Sequence, residues 1–205
     1  MGSYIVTIAR QYGSSGREVG QKLAEITGYK FFDKDLITMA AQKSGLSSDT
    51  LHSADEKAAN SLLYTLALGS SMYHHGVDQI NMPINDRLFV LQSDIIKEIA
   101  ASGDGSIIVG RCADYVLAEN PRLVRLFLYS DFDDRVQNIM KKHDLSQAAA
   151  RDLIVKTDKR RSNYYSYYTG EKWGKIDRYD LAISTAKLGI DGTAEMISEY
   201  LAKLS

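Results

Sequence analysis

The stretch that decides the fold reads Tyr4-Ile5-Val6-Thr7-Ile8-Ala9-Arg10-Gln11-Tyr12-Gly13-Ser14-Ser15-Gly16-Arg17-Glu18-Val19-Gly20-Gln21-Lys22-Leu23-Ala24. Its first part is apolar and rich in β-branched residues, which is typical of a buried strand. Its last part repeats apolar residues at helical spacing, and a short loop of small residues joins the two parts. We therefore predict a strand, a phosphate-binding loop and a helix, in that order.

The loop between Gly13 and Gly16 has the composition of an anion-binding site. Glycine adopts backbone angles that a Cβ atom would forbid, so successive amide groups can turn inward at the start of a helix and surround a phosphate. We predict that the loop, with Ser14 and Ser15 between its glycines, binds phosphate in this way. In the alternative interpretation the two serines cap the helix and Glu18 complements its dipole.

The loop departs from the phosphate-loop signature G-x-x-x-x-G-K-[ST]. If Gly16 is the second glycine, Gln11 occupies the position of the first, Arg17 replaces the lysine and Glu18 replaces the hydroxyl residue that holds Mg²⁺. Arginine can bind phosphate through two parallel hydrogen bonds, but it cannot follow a transferring phosphoryl group as a lysine does. A triphosphate repels a nearby carboxylate unless a cation intervenes, so Glu18 is a candidate Mg²⁺ ligand.

Composition and charge narrow the class of protein. The chain has 205 residues, of which 44% are hydrophobic and 25% are charged, and this suits one compact domain. Its net charge of −1 gives no broad basic field for nucleic acid. No apolar run reaches the length of about 18 residues that a membrane span needs, and no signal-peptide pattern occurs at the N-terminus. The single cysteine, Cys112, excludes an intramolecular disulfide, so we expect a cytoplasmic protein. From the net charge and the lengths of the apolar runs we expect no nucleic-acid or membrane partner.

Runs of strand length alternate with helical patterns along the chain. After the opening strand, apolar runs occur at 29–32, 106–110, 123–129 and 179–184, and the last helix is expected from about 191 to 204. This alternation predicts an α/β fold with a mostly parallel sheet covered on both faces. Ligands bind such sheets at the carboxyl ends of the strands. Those ends carry residues 10–16, Asp33, Arg111 and the pair Ser184-Thr185.

Two helical regions differ from the rest of the chain. Residues 46–81 repeat apolar side chains at intervals of three and four, as in the stripe from Leu62 to Leu66. Residues 148–170 carry a basic cluster and then four tyrosines, and we expect the tyrosines to pack the end of this helix against the body. The basic cluster is open to two interpretations, a solvated charged face and a phosphate-binding group.

Five short motifs follow one another along the chain. They are Gly13-Ser14-Ser15-Gly16-Arg17-Glu18, the segment from Tyr29 through Asp33, Val109-Gly110-Arg111-Cys112-Ala113-Asp114, Asp158-Lys159-Arg160-Arg161 and Tyr179-Asp180-Leu181-Ala182-Ile183-Ser184-Thr185. In this order they resemble the cytidylate kinase-like family, which is related to the nucleoside monophosphate kinases. The resemblance implies a P-loop-type three-layer α/β fold, with residues 1–205 forming a single domain. A helical acceptor-binding lobe at 46–102 and a lid at 156–175 would belong to it.

The resemblance also implies an activity. A protein of this family would transfer phosphate from ATP, with Mg²⁺, to a nucleoside monophosphate such as CMP or to a related small phosphate acceptor. ATP would contact residues 13–18 and the pair Ser184-Thr185. Arg17 would take the lysine role, and the lid arginines Arg160 and Arg161 would neutralise charge during transfer.

The same resemblance places the acceptor. Asp33, Arg111, Asp114 and Asp158 would line its site. Val109 stands where cytidylate kinases usually carry an acidic residue, and Asp114 is the candidate substitute for that residue. Cys112 is interpreted as a small packing residue rather than a nucleophile, because no activating partner is evident in the sequence.

Two other functions remain open on the sequence alone. The departures at Arg17 and Glu18 favour a degenerate kinase homologue that binds nucleotide or another anion without turnover, as a sensor or interaction module. The stripe from Leu62 to Leu66 would instead suit a helical interaction protein that forms homo-oligomers.

Overall fold

A five-stranded parallel sheet lies at the centre of the computed structural model, which describes residues 3–33, 35–44 and 84–204. The strands are β1 Ile5–Arg10, β2 Lys30–Phe32, β3 Ser106–Val109, β4 Leu123–Tyr129 and β5 Leu181–Ser184. They pair in the order β2-β3-β1-β4-β5, and every neighbouring pair is parallel. The predicted parallel α/β sheet is confirmed. β1 has two strand neighbours and two buried faces, which explains why its sequence is a continuous apolar run.

Helices cover both faces of the sheet. In the described ranges they are α1 Gly16–Thr27, α2 Asp35–Ser44, α3 Ile84–Ala101, α4 Ala113–Val116, α5 Phe132–His143, α6 Gln147–Thr169 and α7 Thr185–Lys203. The core on one face joins Ile5 of β1 to α2 and α3, and the core on the other joins Val6 and Ile8 to α1 and α7. The alternation of side chains along β1 thus divides the core in two, and the arrangement has three layers.

Two element boundaries differ from the predicted ones. β5 begins at Leu181 rather than Tyr179, because a 3₁₀ helix occupies Ile176–Arg178 and Asp180 then bonds to β4 with its side chain. The last helix begins at Thr185 rather than near residue 191. Gly189 interrupts it with φ 64° and ψ −167°, so the helical periodicity in the sequence becomes continuous only after that glycine.

The two regions with implied special roles are described to different extents. Of the predicted acceptor-binding lobe at 46–102, residues 46–83 and the stripe from Leu62 to Leu66 lie outside the described residues. The predicted lid at 156–175 falls largely within α6, which is unbroken from Gln147 to Thr169. In the described part of the chain, no helix combines the length and the apolar composition that a membrane crossing requires.

Candidate functional site

The order of the strands arranges the candidate residues around the end of β1. β3 and β2 lie on one side of β1, so Arg111 and Asp33, which follow them, lie on that side. β4 and β5 lie on the other side, where Ser184 and Thr185 end β5 and begin α7. The loop of residues 11–16, called the phosphate loop below, leaves β1 between these two groups.

The backbone of the phosphate loop is fixed by hydrogen bonds from its neighbours. Gly13 and Ser15 adopt left-handed conformations with φ 84° and 56°. The Asn138 side chain donates to the carbonyl of Gly13 at 2.9 Å, and the Ser14 hydroxyl donates to the carbonyl of Gln11 at 2.9 Å. Ser15 makes no side-chain cap to α1, so the capping interpretation of the two serines is wrong. The first-turn amides of α1, which have no partners within a helix, can face an anion.

Four arginines gather beside the loop, and we call them the cationic cluster: Arg10, Arg17, Arg111 and Arg161. Asp33 is buried among them. Its Oδ2 atom lies 2.6 Å from Arg17 Nε, and its Oδ1 atom lies 3.9 Å from Arg10 Nη2. Arg161 donates from Nη1 to the carbonyl oxygen of Arg10 at 2.9 Å. The structure therefore brings Arg161 of the predicted lid to the start of the phosphate loop.

Two arginines of the cationic cluster, Arg10 and Arg161, have lowered pKa values. Burial, and then the charge of Arg161, lower the pKa of Arg10 to about 9 although Asp33 opposes the shift. Burial likewise lowers the pKa of Arg161. Guanidinium groups stay protonated in proteins, so these shifts express the free-energy cost of holding several cations together away from water. Such a cluster favours a bound anion.

The turn after β3 contributes Arg111 to this cluster. Gly110, Arg111 and Cys112 have φ values of 77°, 59° and 53°, so three consecutive residues are left-handed. Non-glycine residues in this conformation are strained and concentrate at functional sites. Cys112 itself is buried, and burial raises the pKa of its thiol. The prediction that this cysteine packs rather than reacts agrees with that environment.

Asp158 connects the phosphate loop to two helices. Its Oδ1 atom accepts the backbone N–H of Tyr12 at 2.8 Å, and its Oδ2 atom accepts Arg135 Nη1 at 2.6 Å. Arg161 Nη1 lies 3.9 Å from Oδ1. The carboxylate thereby holds the phosphate loop against α5, which carries Arg135, and against α6, which carries Asp158 and Arg161.

The other predicted acidic residues also have partners in the protein. Lys142 donates to Glu18 at 2.5 Å. Burial alone would raise the pKa of Glu18, but the hydrogen bond and charge of Lys142, a backbone hydrogen bond and the charge of Arg17 together outweigh it, so the net shift is downward. Asp114 is buried and accepts the Tyr165 hydroxyl at 2.8 Å, and burial raises its pKa. Among the described residues, no group of three or more histidine, cysteine, aspartate or glutamate side chains could hold a metal ion.

A cavity of about 410 Å³ opens on the β5 side of the phosphate loop. Ser15, Asn138, Thr185 and Gly189 are among its lining residues. The Thr185 hydroxyl donates to the carbonyl of Ser14 at 2.8 Å, so the start of α7 is tied directly to the loop. The volume lies within the range of small-molecule sites.

Sequence reasoning missed two members of this arrangement. Arg10 was recognised only as the first residue of the segment 10–16 at the carboxyl end of β1, although that position was a usable signal. Arg135 carried no such signal, because an arginine within a helix is usually solvated. Arg160, which was predicted to act beside Arg161, donates to the hydroxyl of Thr157 at 3.3 Å.

Comparison with curated proteins gives two relatives. A cytidylate kinase from Thermoplasma acidophilum is 22% identical over 182 residues, which cover 88% of this chain and 82% of that protein. A uronate isomerase from Corynebacterium glutamicum is 24% identical over 149 residues, which cover 72% of this chain but 28% of that protein. The chain therefore spans less than a third of the isomerase.

Solved structures extend the comparison to the fold. An uncharacterized protein from Eubacterium ventriosum aligns with a TM-score of 0.74 and 28% identity, covering 98% of this chain and 99% of that one. Shikimate kinase from Bacteroides thetaiotaomicron aligns with a TM-score of 0.53 and 11% identity, covering 97% and 98%. The second similarity shows the P-loop kinase fold alone. The model of the cytidylate kinase-like family matches residues 5–187, and the chain therefore belongs to the cytidylate kinase-like family.

Proposed function

We propose that this protein is an ATP-dependent phosphotransferase whose acceptor is a nucleoside monophosphate, such as CMP, or a related small phosphate compound. The observation that carries the proposal is the contact between Arg161 Nη1 and the Arg10 carbonyl at 2.9 Å, because it joins an arginine-bearing helix to the end of β1, where the phosphate loop begins. Phosphoryl transfer needs positioning and charge neutralisation more than covalent help, and these two elements can supply both. Family membership and the similarity to a cytidylate kinase support the same activity.

The donor fits the β5 side of the loop. The phosphates of ATP would lie on residues 13–18, and the nucleoside would occupy the cavity of about 410 Å³ beside Ser184 and Thr185. Gly13 lets the loop pack closely on α5, because a Cβ atom there would lie 2.9 Å from the Arg135 carbonyl oxygen. Bound ATP would supply the transferred phosphoryl group, with Mg²⁺ neutralising its charge.

The residues that could hold Mg²⁺ are few. Glu18 remains the acidic candidate in the loop motif, but its carboxylate is paired with Lys142. In kinases Mg²⁺ keeps several waters and is bound mainly by substrate phosphates and one or two carboxylates. We therefore assign the ion to the nucleotide, with Glu18 as the protein ligand if its pair with Lys142 opens.

The acceptor fits the opposite side, where the cationic cluster lies. Arg111 would bind the acceptor, and Arg17 and Arg161, with Arg160 nearby, would neutralise the transferring phosphate. Asp33 would hold Arg17 in place through the 2.6 Å ion pair. We assign Asp114 and Asp158 positioning roles in the acceptor region, because both carboxylates accept hydrogen bonds from the protein.

A transfer assay tests this function. The purified protein is incubated with ATP, Mg²⁺ and a panel of nucleoside monophosphates, and the phosphorylated product is separated by anion-exchange chromatography. We expect product with at least one acceptor and loss of product in Arg161→Gln. Arg125→Gln serves as a control, because Arg125 of β4 pairs with Asp180 at 3.2 Å and belongs to neither side of the proposed site.

A second candidate function is a kinase homologue that binds nucleotide without turnover. It is favoured by the ion pairs that hold Arg17 to Asp33 and Glu18 to Lys142, because both signature departures are engaged within the protein. In that case ATP would raise the thermal unfolding midpoint while no acceptor gave product. Turnover with any acceptor in the panel would exclude this candidate.

A further inference from the structure

Among the described residues, the nearest carboxylates to two arginines of the cationic cluster, Arg10 and Arg161, lie only at the limit of an ion pair. The two acidic residues nearby, Asp33 and Asp158, make their ion pairs of 2.6 Å with Arg17 and Arg135. Arg10 lies 3.9 Å from Asp33 and Arg161 lies 3.9 Å from Asp158, and both contacts are at the limit of an ion pair. Asp33 and Asp158 therefore pair mainly with Arg17 and Arg135, and only weakly with Arg10 and Arg161.

These two arginines are also adjacent and largely buried. The side chains of Arg10 and Arg161 are 20% and 25% exposed, and Arg161 donates to the Arg10 backbone. Each cation disfavours the other, and burial adds to the cost of both charges. An anion that binds both arginines would offset the repulsion between them and the cost of burying them, and would thereby stabilise the folded protein.

The local backbone makes room for Arg10. A Cβ atom on Gly16 would lie 2.7 Å from the Cβ atom of Arg10, and a Cβ atom on Gly110 would overlap its guanidinium group. The side chain thus passes between the start of α1 and the turn after β3. Any larger residue at Gly16 or Gly110 would have to displace it.

We infer that Arg10 and Arg161 together bind a phosphate dianion at the end of β1, and that Arg10 is a phosphate-binding residue in addition to the phosphate loop. Two guanidinium groups match the charge of a phosphate dianion, and each presents a planar fork that suits its oxygens. A purely structural role for Arg10 fits poorly, because Asp33 already pairs closely with Arg17. The inference rests on the proposed function only for the source of the phosphate.

Orthophosphate binding by the full chain tests the inference. The variants Arg10→Gln and Arg10→Lys are compared with Arg125→Gln, a strand arginine paired with Asp180. Isothermal titration should show that Arg10→Gln weakens orthophosphate binding at least tenfold, that Arg10→Lys has a smaller effect and that Arg125→Gln has none. In phosphate-free buffer, Arg10→Gln should keep or raise the thermal unfolding midpoint, since it removes a largely buried cation whose carboxylate partner, Asp33, is 3.9 Å away. Unchanged affinity together with a lower midpoint would make Arg10 structural and overturn the inference.

Two further ligands identify the source of the phosphate. If the site takes the acceptor phosphate, Arg10→Gln weakens CMP binding and spares a non-hydrolysable ATP analogue, and the reverse pattern assigns the site to the donor. Both patterns support phosphate binding by Arg10. If Arg10→Gln binds orthophosphate, CMP and the ATP analogue as tightly as the wild type does, the inference is overturned.

The inference and the proposed function can fail separately. A wild-type protein that transfers phosphate, with an Arg10→Gln variant that binds orthophosphate normally, would refute the inference alone. Arg10-dependent orthophosphate binding without transfer to any acceptor would refute the transferase alone.

Discussion

Asp158 accepts a hydrogen bond from the backbone N–H of Tyr12 at 2.8 Å, although 146 residues separate the two positions. The other oxygen of this carboxylate accepts Arg135 Nη1 at 2.6 Å. One side chain therefore links the phosphate loop to α5 and α6. Because Arg161 lies one turn after Asp158 on α6, the shape of the loop and the position of that arginine depend on the same contact.

The first prediction concerns Asp158→Asn. The amide oxygen can still accept the Tyr12 N–H, but Arg135, whose side chain is 8% exposed, becomes a buried cation without its close carboxylate. Breaking a buried ion pair from one side costs roughly 3 kcal/mol, and we expect the free energy of unfolding in urea to fall by about that amount. Pyrophosphate affinity should fall as well, because the link that runs from the loop through Asp158 to Arg135 of α5 is weakened.

Two variants control this measurement. Asp133→Asn breaks an exposed pair with Arg151, in which the Asp133 side chain is 84% exposed, and it should cost less than about 0.5 kcal/mol. Adding Arg135→Met to Asp158→Asn removes the stranded cation and should recover part of the lost stability. If Asp158→Asn and Asp133→Asn lowered the free energy of unfolding equally, the buried ion pair would stabilise the protein no more than the exposed one does.

The second prediction concerns Arg17, which replaces the signature lysine. For the proposed transferase, Arg17→Ala should lower turnover at least about tenfold, which corresponds to roughly 1.4 kcal/mol of transition-state stabilisation. Arg17→Lys keeps the charge and should retain more activity than alanine does. Steady-state rates with ATP and the best acceptor give the comparison, and thermal unfolding checks for a fold defect from leaving Asp33 without its 2.6 Å partner. Turnover that survives in Arg17→Ala would remove this residue from the mechanism.

Much of the fold could be predicted because its signals are local. The apolar run of β1 and the loop after it specified a strand, a turn and a helix, and the alternation of elements specified a parallel sheet. The strand order could not be read from these patterns. Only the order places Asp33 and Arg111 on one side of β1 and Thr185 on the other.

The contacts that shape the candidate site are long-range, and local patterns carry no trace of them. The bond between Tyr12 and Asp158 depends on how α6 packs against the phosphate loop. In the sequence, Arg135 cannot be distinguished from the other charged residues of an amphipathic helix. Its role becomes visible only in the folded protein, where it pairs with Asp158. The break at Gly189 was also hidden, because a single glycine within a helical pattern does not reveal its own backbone conformation.

The third prediction compares two glycine substitutions. Gly16→Ala introduces a methyl group 2.7 Å from the Cβ atom of Arg10, and we expect overpacking to cost roughly 2 kcal/mol of unfolding free energy. Gly28→Ala meets no atom within 4 Å, but its φ of 72° is left-handed, so it should cost about 1 kcal/mol from backbone strain alone. Pyrophosphate affinity should fall only in Gly16→Ala. A loss in both variants would trace the effect to general destabilisation.

The fourth prediction is a pH dependence centred on Asp114. Burial raises its pKa above the ordinary value of 3.8, and the Tyr165 hydrogen bond offsets this only in part. The folded state then holds the proton more tightly than the unfolded state does. Its contribution to stability is therefore complete below the unfolded pKa and is lost as pH rises through the folded pKa.

Asp114→Asn removes this titration while keeping an oxygen that can accept the Tyr165 hydroxyl. Its stability relative to wild type should increase as pH rises above 3.8, the ordinary pKa, and should level off above the raised pKa of the folded protein, as measured by urea unfolding at each pH. Asp152→Asn, at a carboxylate that is 61% exposed and paired with Lys156, provides the control and should give a nearly constant difference. A constant difference for Asp114→Asn would contradict the raised pKa.

The fifth prediction concerns Tyr168, which fastens the end of α6 to the start of α3. Its hydroxyl donates to Asp86 at 2.9 Å, and its ring stacks on Phe89 with centroids 4.1 Å apart. Tyr168→Phe should cost about 1 kcal/mol through the lost hydrogen bond, and Tyr168→Ala should cost roughly 2 to 3 kcal/mol through the lost ring contacts.

Hydrogen exchange then tests whether this contact restrains α6, the helix that was predicted to form part of a lid. In Tyr168→Ala the amides of residues 164–169 should exchange at least about tenfold faster, because a local opening that costs about 1.4 kcal/mol less is tenfold more populated. Tyr115→Phe, at a residue that is 41% exposed, should leave these rates unchanged. If the rates were the same in Tyr168→Ala and in wild type, the contacts of Tyr168 with Asp86 and Phe89 would not be what restrains the last turns of α6.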